Sequence, residues 1–146
     1  MPNSTEQNFK NHAKLVPLFH FVALPILLVN TIWRLVQLKN GITFDSIMEV
    51  LVAVALVAVA LTARTFALTV QNRVIRLEME LRLAKLLPAA MQPRIGEFTI
   101  DQLIALRFAS DAELPALAQQ VLDEKLTSRA DIKGRVKNWR ADLLRA

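Results

Sequence analysis

Charged side chains are unevenly distributed along this chain, and no other feature of the sequence constrains the fold as strongly. Residues 64–146 hold 24 charged side chains, whereas residues 15–63 hold only four, which are Arg34, Lys39, Asp45 and Glu49. An apolar N-terminal part and a charged C-terminal part therefore share one chain of 146 residues. This division excludes a disordered protein and a multidomain enzyme, and the lack of cysteine excludes a disulfide scaffold. It predicts a small membrane protein with a water-facing tail.

The first apolar stretch has the length of a transmembrane helix. It runs without a charge from Leu15 to Trp33, and at about 1.5 Å per residue it covers about 28 Å, close to the ~30 Å hydrocarbon thickness. It is longer than the apolar core of a signal peptide and lacks a small-residue cleavage site. We therefore expect an uncleaved span over residues 15–38. We also expect a kink at Pro25, or a neighbouring group that satisfies the carbonyl freed there.

The second apolar stretch is expected to form part of a longer helix. After a short connection that turns at Gly41, either Asp45 or Ser46 is expected to cap this helix. The span itself covers residues 46–70. Because no helix breaker lies between Ser46 and Leu87, the helix is expected to continue out of the bilayer and to become amphipathic there.

The water-facing half of this helix carries an apolar stripe with alternating spacings of four and three residues. Its members are Val70, Val74, Leu77, Leu81 and Ala84. The stripe is too short to establish a coiled coil by itself, so we expect helices of the C-terminal region to cover it. Two i,i+4 ion pairs, Arg76 with Glu80 and Glu78 with Arg82, are expected on the remaining surface.

Three capping signatures predict three helices in the C-terminal region. They are Thr99 with Gln102 for residues 99–108, Ser110 with Glu113 for residues 110–126, and Ser128 with Asp131 for residues 128–144. The last helix would place Ile132, Val136, Trp139 and Leu143 on one face. No strand pattern occurs, so the region is predicted to be a small helical domain packed on the extended second helix.

These elements predict an all-α protein with three parts. They are a polar segment of residues 1–14, an integral membrane helical hairpin of residues 15–70 and a cytoplasmic helical domain of residues 71–146. Basic residues favour the cytoplasmic side of a membrane. Two basic residues, Arg34 and Lys39, flank the connection, whereas six precede the first span or follow the uncharged core of the second, namely Lys10, Lys14, Arg64, Arg73, Arg76 and Arg82. Both termini of this multi-pass chain are therefore predicted to be cytoplasmic.

Polar side chains within the apolar part form the first candidate site. If the two helices run antiparallel and the chain turns at residues 41–42, Arg34 lies at the same depth in the membrane as Glu49. His20 then lies at the same depth as Arg64. Charges in lipid cost several kcal/mol unless they are paired or reach the headgroups. Internal pairing and independent contact with the headgroups both remain open, while a proton or ion path would need additional helices.

Histidine offers a second candidate site, for a haem or pigment ligated by His20. A hydrogen-bonded or interfacial histidine is the simpler explanation. His12 lies about 12 Å from His20 along a helix, so the two cannot share a metal. Three glycines are too few for a phosphate-binding loop, and no nucleophile triad is present. We therefore expect no catalytic residue, no metal and no cofactor.

A basic cluster near the C-terminus is a possible site for lipid or phosphate contact. It consists of Lys133, Arg135, Lys137 and Arg140. Asp131 and Asp142 interrupt it, and no series of base-stacking aromatic residues accompanies it, so nucleic acid is not an expected partner. Contact with anionic lipid and simple solvation both remain open.

Five short segments resemble a known protein family. They are QNFKNH at residues 7–12, PLFH at 17–20, QLIALRFASD at 102–111, ELP at 113–115 and KNW at 137–139. The family is number 6526 among the domain-of-unknown-function families, and the resemblance covers nearly the whole chain. It implies a small two-span protein of the bacterial inner membrane with a cytoplasmic tail. It brings no established catalytic or binding residues.

The expected role is therefore non-enzymatic, as an accessory or scaffolding subunit of a larger membrane complex or of a homo-oligomer. Small side chains along the second span permit close helix contact, and they are Ala53, Ala55, Ala58, Ala60 and Ala63. Membrane lipids and other membrane proteins, or further copies of this chain, are the expected partners. Two alternatives remain open: a membrane-tethered regulator whose basic tail binds anionic lipid or nucleic acid, and a haem- or pigment-binding subunit.

Overall fold

A computed structural model describes residues 15–142, which are helical apart from their connections. Within these residues no strand forms, and an isolated bridge joins Ala109 to Trp139. The described residues fall into two compact units, 15–69 and 70–142. The all-α prediction is confirmed.

The N-terminal unit begins with a π-helical turn, Leu18–Ala23, that leads into helix α1, Leu24–Gln37. Pro25 stands in the first turn of α1 and has no N–H to donate. In the π-helical turn before it, the N–H of Leu24 donates to the Phe19 carbonyl, five residues earlier in the chain. The expected disturbance at Pro25 thus takes the form of a change in helical winding.

A tight connection joins α1 to the next helix. A 3₁₀ turn, Leu38–Asn40, is followed by Gly41 with φ of 146°, a conformation that side chains other than glycine rarely adopt. The prediction that Asp45 or Ser46 caps the second helix is wrong. Thr43 is the cap, because its Oγ1 accepts a hydrogen bond from the Ser46 N–H at 3.1 Å, and the Ser46 Oγ accepts one from the Thr43 N–H at 2.9 Å.

Helix α2, Phe44–Leu86, is a single helix of 43 residues. The absence of a helix breaker predicted this continuity, and the prediction is confirmed. At about 1.5 Å per residue the helix is about 64 Å long, twice the ~30 Å hydrocarbon thickness.

Two helical segments of the described chain are long and apolar enough, by length and composition, to cross a membrane. They are Leu18–Asn40 and Phe44–Leu86. In the most apolar window of each segment, 0% and 6% of the residues are buried within the protein. The apolar surface of the N-terminal unit therefore faces outward.

The C-terminal unit packs short helices around the second half of α2. A 3₁₀ segment, Ala89–Glu97, is followed by three α-helices, which are α3 (Ile100–Leu106), α4 (Leu114–Asp123) and α5 (Arg129–Gly134). Their core contains Leu103, Leu106, Leu114, Val121 and Ile132, all fully buried. The predicted capping box of Thr99 and Gln102 is confirmed.

The face of α2 that this core covers differs from the predicted one. Ile75, Met79, Leu83 and Leu87 are at most 5% exposed. The predicted stripe stays uncovered, since Val70, Val74, Leu77 and Leu81 are 47% to 65% exposed. The prediction that C-terminal helices cover that stripe is therefore wrong, because the helix has a second apolar face at spacings of four.

One predicted cap in the C-terminal unit differs from the structure, and so do the predicted lengths of two helices, α4 and α5. Glu113 does not form a capping box with Ser110. Its carboxylate instead accepts hydrogen bonds from the backbone N–H groups of Lys137 and Asn138 at 2.8 and 2.9 Å. Ser128 does cap α5, but this helix ends at Gly134 rather than near residue 144.

The chain after α5 is irregular because it docks onto the core. The Arg140 N–H donates to the Phe108 carbonyl at 2.7 Å, and the Ser110 N–H donates to the Asn138 carbonyl at 3.0 Å. The Trp139 ring lies 4.9 Å from the fully buried ring of Phe108. Trp139 thus reaches the core from this segment rather than from a helix face. Leu143, placed on the same face by the sequence pattern, lies outside the described residues.

Candidate functional site

The N-terminal unit contains an ion pair between its two apolar helices. Arg34 lies in the last turn of α1 and Glu49 in the second turn of α2, on either side of the Gly41 connection. The Arg34 Nη1 lies 2.8 Å from the Glu49 Oε2, and the two side chains are 38% and 50% exposed in the protein alone. The structure thus brings together the two residues that the antiparallel register placed level with each other.

An open hollow of about 560 Å³ surrounds this pair. Apolar side chains form one wall, and the polar lining residues are Asn30, Arg34, Asp45 and Glu49. Arg34 lies only three residues before the end of α1, about 5 Å along the axis, so the pair belongs to the end of the hairpin and not to its middle. Its charges neutralise each other at the depth where lipid headgroups begin if the unit crosses a bilayer.

The other predicted pair is not brought together. Within residues 15–142 no hydrogen bond or ion pair joins His20 to Arg64. His20 instead makes a local contact, since its Nδ1 lies 3.0 Å from the Val16 carbonyl oxygen and 3.1 Å from the Val16 nitrogen. Its ring also stands edge-on to Phe19, with ring centroids 5.1 Å apart.

Metal ligands do not cluster in the described part of the chain. Residues 15–142 contain no group of three histidine, aspartate or glutamate side chains that could hold a metal ion. His12, the second histidine weighed from the sequence, lies outside the described residues.

In the C-terminal unit the principal polar group is Arg82, which is only 14% exposed. Its Nε donates to the Asp111 carboxylate at 2.7 Å, and Nη1 and Nη2 donate to the carbonyls of Arg107 and Ala109 at 3.1 and 2.6 Å. The Arg107 carbonyl belongs to the C-terminal cap of α3, where a cation is stabilised by the helix dipole, and the Ala109 carbonyl belongs to the loop that follows. Arg82 therefore joins α2 to the loop between α3 and α4.

This arrangement also changes the acidity of Asp111. The hydrogen bond and the charge of Arg82, with a smaller contribution from Arg140, lower the pKa of the Asp111 carboxyl group. The predicted ion pair between Glu78 and Arg82 is wrong, because Arg82 turns to Asp111 instead. The pair predicted between Arg76 and Glu80 is confirmed, at 2.8 Å.

A second open hollow, of about 510 Å³, lies beside Arg82. Its charged lining residues are Glu78, Arg82, Lys85, Arg107, Arg140 and Asp142. The three arginines each have a carboxylate within ion-pair distance, Asp111 for Arg82 and Arg140, and Asp142 for Arg107. The positive charge of this hollow is therefore largely compensated within the unit itself.

The basic residues predicted to contact lipid or phosphate are mostly engaged within the protein. Arg135 pairs with Glu124 at 2.6 Å, and Arg140 lies 3.3 Å from Asp111. The Lys133 ammonium group lies 5.2 Å from the centre of the Phe108 ring, a cation–π contact. Lys137 is exposed. The structure thus gives three of these side chains separate contacts, and it does not align the four on one helix face.

Sequence reasoning missed the roles of Arg82 and Glu113. No local spacing reveals them, because their partners lie 24 to 29 residues away along the chain. The only available signal was the position of Arg82 beside an apolar helix face, where a long basic side chain can reach across to a helix end.

The whole chain, residues 1–146, matches the model of one protein family, DUF6526, described as a family of unknown function. No curated protein and no solved structure matches the chain at a significant level.

Proposed function

Because the chain belongs to the family of unknown function DUF6526, whose description supplies no activity, we propose its role from its geometry. The protein is a non-enzymatic, two-span protein of the bacterial inner membrane. It acts as an accessory or scaffolding subunit that assembles with a larger membrane complex or with further copies of itself.

The uncovered apolar surface of the N-terminal unit supports membrane insertion. In the most apolar part of each helical segment, only 0% and 6% of the residues are buried within the protein. In water this surface would be unfavourable at about 25 cal/mol per Å², whereas lipid tails solvate it. The ion pair of Arg34 and Glu49 supports a hairpin, since it neutralises two charges close to the connection.

Positive charge supports the proposed orientation. Four arginines, Arg64, Arg73, Arg76 and Arg82, follow the apolar part of α2, and the connection contributes only Lys39, with Arg34 at its edge. With both termini in the cytoplasm, the C-terminal unit faces the cytoplasm as well.

One observation supports the scaffolding role in particular. At the end of the predicted second span, residues 46–70, and beyond it, α2 still exposes Val70, Val74, Leu77 and Leu81. A contiguous apolar surface on a water-facing helix is typical of a protein interaction site. This surface therefore supports a role in assembly with other protein chains.

Reporter fusions and native sizing test this proposal. A reporter active only in the cytoplasm, fused to either terminus of the full chain, is expected to be active in both fusions. After gentle detergent extraction, the protein is expected to migrate with assemblies larger than one chain. Recovery in the soluble fraction, an inactive C-terminal reporter on an intact chain, or a strictly monomeric particle would contradict it.

The two alternatives make different predictions for the same purified full-length protein. A regulator that binds anionic lipid or nucleic acid would show binding that weakens steeply with salt. A haem or pigment subunit using His20 would show a visible absorption band. We expect neither, because the arginines near the C-terminus already contact carboxylates and the His20 ring contacts its own turn.

A further inference from the structure

The exposed stripe on α2 lies opposite the face that holds the C-terminal unit together. Val74, Leu77 and Leu81 are 47%, 62% and 65% exposed, and Ala84 extends the same face. At 3.6 residues per turn, this face points about 160° away from the one formed by Ile75, Met79, Leu83 and Leu87. A partner can therefore cover the stripe without displacing the core of the unit.

The stripe has the spacing of a coiled-coil seam. The steps from Val70 to Val74, Leu77, Leu81 and Ala84 are four, three, four and three residues. In a heptad repeat labelled a to g, Val74 and Leu81 then occupy position a. Val70, Leu77 and Ala84 occupy position d. In the sequence the same alternation continues towards the N-terminus through Ala67, Ala63 and Ala60, small residues of the kind that permit close helix contact in lipid.

The charged residues beside the seam identify its partner. Arg73 and Glu80 occupy g positions, and Glu78 and Lys85 occupy e positions. In a parallel two-stranded coiled coil, a g residue faces the e residue five positions later on the other helix. Arg73 then faces Glu78 of a second copy, and Glu80 faces Lys85 of that copy. Both pairs have opposite charges, so the surface is complementary to itself.

We propose that a second copy of this chain covers the stripe, with the two α2 helices parallel and in register over residues 70–84. This inference rests on the proposed membrane hairpin, because copies inserted in the same orientation present their α2 helices in parallel. The interface is isologous, so each charge pair occurs twice.

Two features compensate for the shortness of the seam. Helix α2 is already a continuous helix of 43 residues, so dimerisation does not have to pay for helix nucleation. Membrane insertion also fixes the direction of both helices beforehand, which removes part of the rotational entropy cost of association. These two features favour pairing over a seam of about two heptads.

Disulfide crosslinking of the full chain in native membranes tests the interface, and the lack of native cysteine makes each site unique. Leu77→Cys and Leu81→Cys lie on the seam, and Arg76→Cys lies on the exposed flank as the matched control. A disulfide needs Cα atoms within about 7 Å of each other. We expect oxidation to give a covalent dimer from the two seam variants and little or none from the control.

Charge exchange tests the register, using Leu77→Cys as background. Arg73→Glu alone and Glu78→Arg alone each place like charges opposite each other twice, and we expect each to lower the dimer yield about fivefold. The double variant Arg73→Glu/Glu78→Arg is expected to restore the yield. Neither residue has a hydrogen bond or ion pair within residues 15–142, so the exchange leaves the described contacts of the unit unchanged.

The outcomes separate this inference from the proposed function. A large native assembly with no dimer at Leu77→Cys, or with crosslinks only to a protein of different mass, overturns the self-association while the scaffolding role stands. Equal crosslinking in the Arg76→Cys control, or no rescue by the double exchange, overturns the parallel register. A soluble, monomeric protein overturns both proposals.

Discussion

Arg82 connects elements that are far apart in the sequence, and each of the three nitrogens of its guanidinium group donates to an acceptor. Two of these acceptors are the Arg107 and Ala109 carbonyls, and the third is Asp111. Removing the donor from a partly buried backbone carbonyl lowers the free energy of unfolding by more than the net contribution of the hydrogen bond. The reason is that water replaces the donor incompletely. Arg82 is therefore a principal polar contributor to the stability of the C-terminal unit.

Replacing this arginine is expected to destabilise the C-terminal unit. We expect Arg82→Met to lower the free energy of unfolding by about 1–3 kcal/mol, measured by urea denaturation of the full chain in mild detergent. The matched control is Arg76→Met on the same helix. Its exposed pair with Glu80 is expected to contribute only a few tenths of a kcal/mol. An equal decrease in the free energy of unfolding in the two variants would show that the carbonyl contacts of Arg82 add no more stability than an exposed ion pair.

Asp111 makes the stability of the same unit sensitive to acid. Its pKa in the folded protein lies below the ordinary value of 3.8, chiefly because it accepts a hydrogen bond from Arg82. A carboxyl group with a lowered pKa stabilises the fold above its unfolded pKa, and this contribution is lost as the pH falls through the folded value. We expect Asp111→Asn to be less stable than the wild type at neutral pH, with the difference shrinking as the pH falls below 3.8 and vanishing once the pH is below the folded pKa. A difference in melting temperature that persists in strong acid would contradict this assignment.

At the scale of elements, α2 shows why an apolar pattern alone does not select a packing face. The helix carries one apolar set at alternating spacings of four and three, beginning at Val70, and another at spacings of four, beginning at Ile75. Both are compatible with burial. The C-terminal helices cover the second set, and this choice depends on tertiary contacts such as those of Arg82.

Two leucines on opposite sides of α2 distinguish the faces experimentally. Leu83 is 0% exposed, and we expect Leu83→Ala to cost about 2–5 kcal/mol. Leu81 is 65% exposed, and we expect Leu81→Ala to change stability by less than about 0.5 kcal/mol. Both are measured in dilute detergent, where self-association is suppressed. A larger loss from Leu81→Ala would mean that the core packs on the stripe after all.

Local signals in the sequence predicted local structure well. The capping box of Thr99 and Gln102 and the cap at Ser128 involve residues three positions apart, so the sequence contains all the information they need. The end of α5 was not predictable in this way. It depends on the docking of Trp139 against Phe108, a contact across 31 residues that removes the segment from the helix. Of the candidate sites, the pairing of Arg34 with Glu49 followed from the hairpin register, whereas the contacts of Arg82 and Glu113 had no local signature.

At the scale of the whole molecule, the distribution of basic residues along the chain bears on its orientation in a membrane, just as the apolar helices bear on insertion. The described chain has few basic residues at the hairpin connection and many after the apolar part of α2. If the protein crosses the inner membrane, this asymmetry determines its orientation.

Adding basic residues at the connection is therefore expected to disturb the topology. The double variant Asn40→Lys/Ile42→Lys raises the number of basic residues at the connection from two to four, beside Arg34 and Lys39. We expect part of the population to place its C-terminal reporter outside the cytoplasm. The control Asn40→Gln/Ile42→Gln changes the same positions without charge and is expected to keep one orientation. An unchanged orientation in the lysine variant would mean that these charges do not set the topology.

The core of the C-terminal unit begins within α2 and not after it. A fragment excised at Pro88 would lose Ile75, Met79, Leu83 and Leu87 together with Arg82, and its remaining helices would have one side of their interior open to water. A fragment meant to contain the complete C-terminal unit should therefore start at or before Val70, inside the long helix. For the same reason, a protease that cuts within α2 would release a folded C-terminal unit only if it cleaved upstream of Ile75.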